Sequence, residues 1–162
     1  RDYTTSEKLA IIGGSNGGLL MGATFTQHPQ LMKAVVSKVG IYDMLRVELS
    51  PNGAFNIPEF GTVKDRSQFE SLHAYSPFHA VKDGVEYPAV LLTTGENDPR
   101  VDPMQSRKRS ARLQAATASK SHILLRTNST AGHGADVALD ERIDEEVDVL
   151  AFLFNQLGVD FQ

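Results

Sequence analysis

Apolar and polar positions follow two different rhythms along this chain. Residues 9–12, 34–39, 89–94 and 122–127 are short apolar runs rich in branched side chains, which reads as buried strands. Longer stretches of helical spacing separate or follow them. Residues 16–27 predict a helix that stops at His28-Pro29, because proline disfavours helical geometry in the residue before it. Asp102 and Pro103 predict another helix start, an acidic cap followed by proline at the first helical position. Residues 138–157 predict the last helix, with Ile143, Val147, Leu150, Phe154 and Leu157 on an inward face and Asp140, Glu141, Asp144, Glu145 and Asp148 on a solvated one. Residues 43–80 are the least regular, punctuated by Pro51, Gly53, Pro58, Gly61 and Pro77. Strand and helix in alternation predict an α/β fold with about four parallel strands and helices on both faces, roughly half of a large α/β sheet.

Composition narrows the function. The 162 residues suit one domain, and no boundary or repeat divides them. Sixteen Lys and Arg against 20 Asp and Glu give a net charge of −4, which argues against a nucleic-acid partner. With no cysteine there is no disulfide framework, thiolate metal site or cysteine nucleophile. No apolar run approaches the ~20 residues of a membrane span. Residues 1–8 are polar and carry no visible signal peptide, so the expectation is a cytoplasmic rather than a secreted protein.

The strongest chemical signal is Gly13-Gly14-Ser15-Asn16-Gly17-Gly18, directly after one strand and before a helix. Gly-x-Ser-x-Gly there is the nucleophile-elbow pattern, with a strained turn lifting the hydroxyl clear of the sheet. Side chains at Gly13 and Gly17 are expected to collide with neighbouring backbone. The Asn16 N–H would face a developing oxyanion. A phosphate loop is the rival, but no Lys-Ser or Lys-Thr follows, and the dinucleotide fingerprint has a different glycine spacing. An incidental serine in a tight turn is the bland alternative.

An elbow calls for an acid and then a histidine further along. Past the third strand, Asp98 competes with Glu96 and with Asp102, which already has a task as helix cap. Among five histidines, His133 alone sits on a glycine-flanked loop after the fourth strand; His28, His73, His79 and His122 have other placements. Ser15, Asp98 and His133 would then form a proton relay, with an ordinary loop histidine as the alternative. Asp144, Glu145 and Glu146 lack metal-ligand spacing with any histidine, so neither metal nor cofactor is expected. Arg107, Lys108 and Arg109 read as a wet helix face.

Ile12 to Leu20, Val39-Gly40-Ile41-Tyr42-Asp43-Met44, Tyr75-Ser76-Pro77, Asn97-Asp98-Pro99-Arg100-Val101 and Ala131-Gly132-His133-Gly134 together resemble the prolyl oligopeptidase family, in order and in spacing. The resemblance covers nearly the whole chain. It implies the C-terminal part of an α/β-hydrolase peptidase domain, residues 1–162, whose upstream strands and β-propeller are absent. It implies a serine peptidase cleaving short peptides through an acyl-enzyme, with Ser15 as nucleophile, Asp98 as acid, His133 as base and the Asn16 backbone as one oxyanion donor. An esterase using the same residues, or an inactive hydrolase-like binding module, are the competing readings. Arg100 matches a residue that holds a substrate carbonyl, and Ile41, Phe60 and Val101 match the pocket for the residue before the cut bond. Where many members have a tryptophan that stacks on proline, this chain has Asn56, with Phe55 beside it. The second oxyanion donor of the family is a tyrosine upstream of residue 1. Without the upstream strands the elbow strand would have an open edge, which predicts association with a second copy or with that upstream part.

Overall fold

The computed structural model describes residues 3–134 and 137–160. Four parallel strands, β1 (Ala10–Gly14), β2 (Ala34–Lys38), β3 (Ala89–Gly95) and β4 (Ile123–Asn128), lie side by side in chain order. Their register places Ile12 beside Val36, Val36 beside Leu91, and Leu91 beside Leu124. The helices are α1 (Asn16–Gln27), α2 (Ile57–Phe60), α3 (Arg66–Tyr75), α4 (Met104–Ala116) and α5 (Leu139–Leu157). Strand periodicity sorts the core into two layers. Val35, Val90, Leu92 and Ile123 pack with Phe25 of α1 and Leu113 of α4 on one face. Ala34, Val36, Ala89 and Leu91 pack with Val149 and Phe152 of α5 on the other.

Several sequence expectations need correction. The irregular segment contains α3, started by Asp65, whose carboxylate accepts the Gln68 N–H at 3.0 Å. The start of α4 needs none: Pro103 already has helical dihedrals, φ −52° and ψ −24°, and Asp102 caps the helix by accepting the Met104 N–H. Helix α5 is turned differently from its predicted orientation. Ile143, Val147 and Leu150 are 53%, 58% and 49% exposed, while Val149 and Phe152 are buried. Its acidic residues are not simply solvated, since Glu145 and Glu146 pair with Lys38, and Arg126 pairs with Glu145 and Asp148. The inward stripe thus runs 145, 149, 152, a polar start followed by two apolar anchors, and leaves a second apolar stripe outside.

The basic triplet on α4 is not a wet face either. Arg109 is fully buried; it donates to the Pro77 and Gly22 carbonyls and to Thr26, and lies over the Phe25 ring. Burial pushes its pKa down to about 9. Lys108 reaches the buried carboxylate of Asp43 at 2.5 Å, and only Arg107 pairs at the surface, with Glu96.

Among the described residues strand β1 pairs with β2 alone, which leaves its other edge open, and Ile12 of β1 is half exposed. No helix among the described residues is long and apolar enough to cross a membrane.

Candidate functional site

The site is assembled where β1, β3 and β4 end. Ser15 joins β1 to α1 with φ 57° and ψ −119°, a positive φ rare for a residue with a side chain. Its N–H donates to Lys38 O at 2.9 Å and its carbonyl accepts the Leu19 N–H at 3.1 Å, so the turn is pinned at both ends. A serine in this position usually folds its hydroxyl back to cap the helix. Here the strained backbone turns it away, and no side-chain cap forms. The close approaches required of the glycines are visible at Gly13, where a Cβ would sit 2.6 Å from Gly17 O. Gly18 is equally tight, with a Cβ 2.6 Å from Gly40 Cα. Gly17 differs from expectation, because a Cβ there would meet nothing within 4 Å. The crowding is one-sided: Gly17 contributes its carbonyl to the collision at Gly13. A second strained residue, Val39 at φ 43°, closes β2 beside the serine.

Asp98 lies in the turn after β3 with its side chain wholly buried. One oxygen accepts the Arg100 and Val101 N–H groups at 2.8 and 2.9 Å. The other accepts His133 Nδ1–H at 2.7 Å, which leaves Nε2 as the acceptor for the Ser15 hydroxyl at 3.0 Å. Both rivals of Asp98 are engaged elsewhere, Glu96 with Arg107 at 2.9 Å and Asp102 with the start of α4. The acid and histidine loops are sewn together. Asn97 donates from its N–H to Ala131 O and from its side chain to Ser129 O, and a Cβ at Gly95 would strike Ala131 O at 2.4 Å. Asn128 Oδ1 accepts from the Thr130 and Ala131 N–H groups and shapes the loop that carries His133.

Asn16 opens α1 directly after Ser15, so its N–H has no intrahelical acceptor. Ser15 and His133 border a cavity of about 440 Å³ that Lys38, Val39, Thr93, Arg100 and Glu145 also line. Arg100 is exposed, and its guanidinium has no hydrogen bond or ion pair among the described residues. Ile41, Phe60 and Val101 come together with Leu19, Leu72 and Tyr75 in one apolar cluster beyond the strand ends. Burial, and then the charge of Glu59, raise the Tyr75 pKa. Phe55 does not join that cluster; it is 84% exposed, and Asn56 beside it is half-buried. Among the described residues, no group of three or more His, Asp or Glu could hold a metal ion.

Sequence reading missed two supports of the site. Gln105 Oε1 accepts the Tyr42 and Asp43 N–H groups and holds the segment that carries Ile41. Glu59 Oε1 accepts the Asn16 side-chain amide at 2.8 Å. Neither pairing has a periodic signature, although Glu59 directly precedes Phe60, already singled out for the pocket.

Parallel strands with Ser15, His133 and Asp98 hydrogen-bonded in series at their C-terminal rim have the layout of an α/β-hydrolase fold. A model of the prolyl oligopeptidase family matches residues 1–160. The prolyl endopeptidase of Elizabethkingia miricola is 41% identical over 158 residues, covering 97% of this chain and 22% of that protein. The prolyl endopeptidase of Dictyostelium discoideum is 40% identical over 161 residues, 98% of this chain and 21% of that protein. A solved prolyl endopeptidase structure matches at TM-score 0.94 and 46% identity, covering 98% of this chain and 23% of the other. Oligopeptidase B from Leishmania major matches at TM-score 0.91 and 28% identity, covering 96% and 22%. The chain therefore belongs to the prolyl oligopeptidase family, and it spans about a fifth of the length of the relatives it matches.

Proposed function

We propose that this chain is the C-terminal part of the catalytic domain of a serine peptidase acting on short peptides. The observation that carries the reading is the unbroken relay from the Ser15 hydroxyl through His133 to the buried Asp98 carboxylate, with both hydrogen bonds at or below 3.0 Å. His133 Nε2 takes the Ser15 proton as Oγ bonds to the carbonyl carbon before the scissile amide. The carbonyl oxygen gains the negative charge, which the Asn16 N–H meets. His133 then gives the proton to the leaving amine as the C–N bond breaks, and a water molecule, activated the same way, releases the acyl group. Asp98 orients the ring and stabilises its protonated form.

Arg100 is free to hold a substrate backbone carbonyl, a task suited to a planar fork of donors. The cluster of Ile41, Phe60 and Val101 forms the pocket for the residue before the cut bond. With Asn56 in the stacking position and Phe55 turned outward, neither residue gives the pocket an aromatic face, so a strict demand for proline is not part of the reading. The open β1 edge is where the rest of the parent polypeptide, or a second copy, adds strands.

The test uses the full-length parent protein with peptide amides graded by the residue before the cut, alongside nitrophenyl esters. Amide cleavage that depends on that residue is expected. Ester cleavage without amide cleavage would make the protein an esterase, and neither activity in a folded sample would leave a binding module.

A further inference from the structure

We infer that Glu59 is a positioning residue for the oxyanion donor, coupling the pocket segment to the N-terminus of α1. The inference rests on the proposed peptidase reading and goes beyond it by assigning work to a carboxylate outside the relay. Helix α2 carries Glu59 and Phe60 side by side, and Glu59 bonds directly to α1. Phe60 packs in the cluster that contains Leu19, and Glu59 Oε1 accepts the Asn16 side-chain amide at 2.8 Å. Leu19 and Asn16 are three positions apart on α1, so the bond from Glu59 and the cluster that Phe60 joins both bear on the first turn of that helix. Asn16 is also the residue whose backbone N–H would face the developing charge.

The rest of the pocket segment is held firmly. Gly61 ends α2 at φ 92°, and its N–H donates to Ile57 O at 2.8 Å. Gln68 of α3 accepts the Thr62 N–H at 2.8 Å, and at the other end Asn52 donates to Pro99 O. With both flanks anchored, α2 is a fixed strut rather than a loose flap. A carboxylate acceptor makes the stronger, charge-assisted kind of hydrogen bond. It fixes the side chain of Asn16 and so restricts the peptide plane that presents its N–H. A substrate side chain pressing on Phe60 would be felt one residue away at Glu59 and passed to Asn16. Pocket occupancy and oxyanion geometry are thereby linked.

The experiment compares Glu59→Ala, Glu59→Gln, Asn16→Ala and the Glu59→Ala/Asn16→Ala double variant in the full-length protein, using one peptide amide substrate. An oxyanion donor acts on charge that exists only in the transition state, so kcat should fall and KM should hold. Glu59→Ala and Asn16→Ala are each expected to lower kcat about 3- to 10-fold, because an exposed bond has the net worth of an ordinary hydrogen bond. The double variant should be no slower than either single one. Glu59→Gln, whose amide oxygen still accepts, should recover most of the rate. Multiplying effects in the double variant would mean that Glu59 merely props the fold, and an unchanged kcat in Glu59→Ala would likewise overturn the inference. Should Glu59→Ala fail to fold, Asn16→Ala decides alone: a lower kcat supports the coupling and a full kcat refutes it. An unsubstituted protein that cleaves no peptide would count against the proposed function instead.

Discussion

His133 Nε2 stands 3.0 Å from Ser15 Oγ, although 118 positions of sequence separate the two residues. Two tight turns make the meeting possible, one forced by the positive φ of Ser15 and the other tied to the acid loop through Asn97. Replacing Asp98 should therefore disturb orientation more than it disturbs packing. In Asp98→Asn the amide oxygen can still accept from the Arg100 and Val101 N–H groups, but its NH₂ would face Nδ1 and favour the wrong tautomer. We expect kcat to drop by about 10³- to 10⁴-fold in the full-length protein with little change in thermal midpoint. Stopped-time peptide hydrolysis and a melting curve check both halves.

The one-sided crowding at the elbow separates two glycines that look equivalent in the motif. Gly13→Ala would drive a Cβ to 2.6 Å from Gly17 O and should cost on the order of 1–3 kcal/mol of stability. Gly17→Ala, which meets nothing within 4 Å, should leave stability unchanged or raise it by up to about 1 kcal/mol through helix propensity. Denaturant unfolding of the two variants gives the comparison, and equal losses would contradict it.

Acid should loosen the node around Asp43. Burial opposes charging of Asp43, but hydrogen bonding and charge from Lys108, with Arg46, outweigh it and hold its pKa below the ordinary carboxylate value. Burial lowers the His79 pKa despite the nearby Asp43 carboxylate. Both shifts have the same sign in linkage. The unfolded chain takes up protons first, so stability is full above each unfolded pKa and is lost as pH falls through the folded one. Urea unfolding should be flat from about pH 6.5, the ordinary histidine value, up to the approach of the Arg109 value of about 9, and decline steadily below pH 6.5. His79→Gln should remove the upper part of that decline. An identical slope in the variant would contradict the assignment.

The outer stripe of α5 offers a further check. Ile143→Lys with Val147→Lys should leave the thermal midpoint within about 2 °C while reducing scattering from associated species, because both side chains face outward. Had they been core residues, the pair would cost several kcal/mol, on the order of 2–5 each.

What the sequence disclosed followed from rules with strong local signatures. The four strands are branched apolar runs of the right length, and α1 begins and ends where the glycines and His28-Pro29 place it. Ser15, Asp98 and His133 each sit on a turn whose glycine or proline chemistry is local, so their candidacy was readable one at a time. What was hidden depends on tertiary partners. Helix α5 has apolar residues on two sides, and only the sheet, through Lys38 and Arg126 drawing Glu145 inward, decides which side is buried. Arg109 looks solvated by type, yet three oxygen acceptors and the Phe25 ring wait for it inside. Helix α3 lay among prolines and glycines that masked the Phe69, Leu72 and Tyr75 spacing. Phe55 was expected near the pocket only through the resemblance, as the neighbour of Asn56, and it lies 84% exposed.

The most direct measurement is active-site labelling of the full-length protein with a fluorophosphonate, read by mass spectrometry of its peptides. One label per chain is expected, on the peptide bearing Ser15, formed rapidly and lost in His133→Ala. A folded protein that stays unlabelled, or that takes the label on another residue, would contradict it.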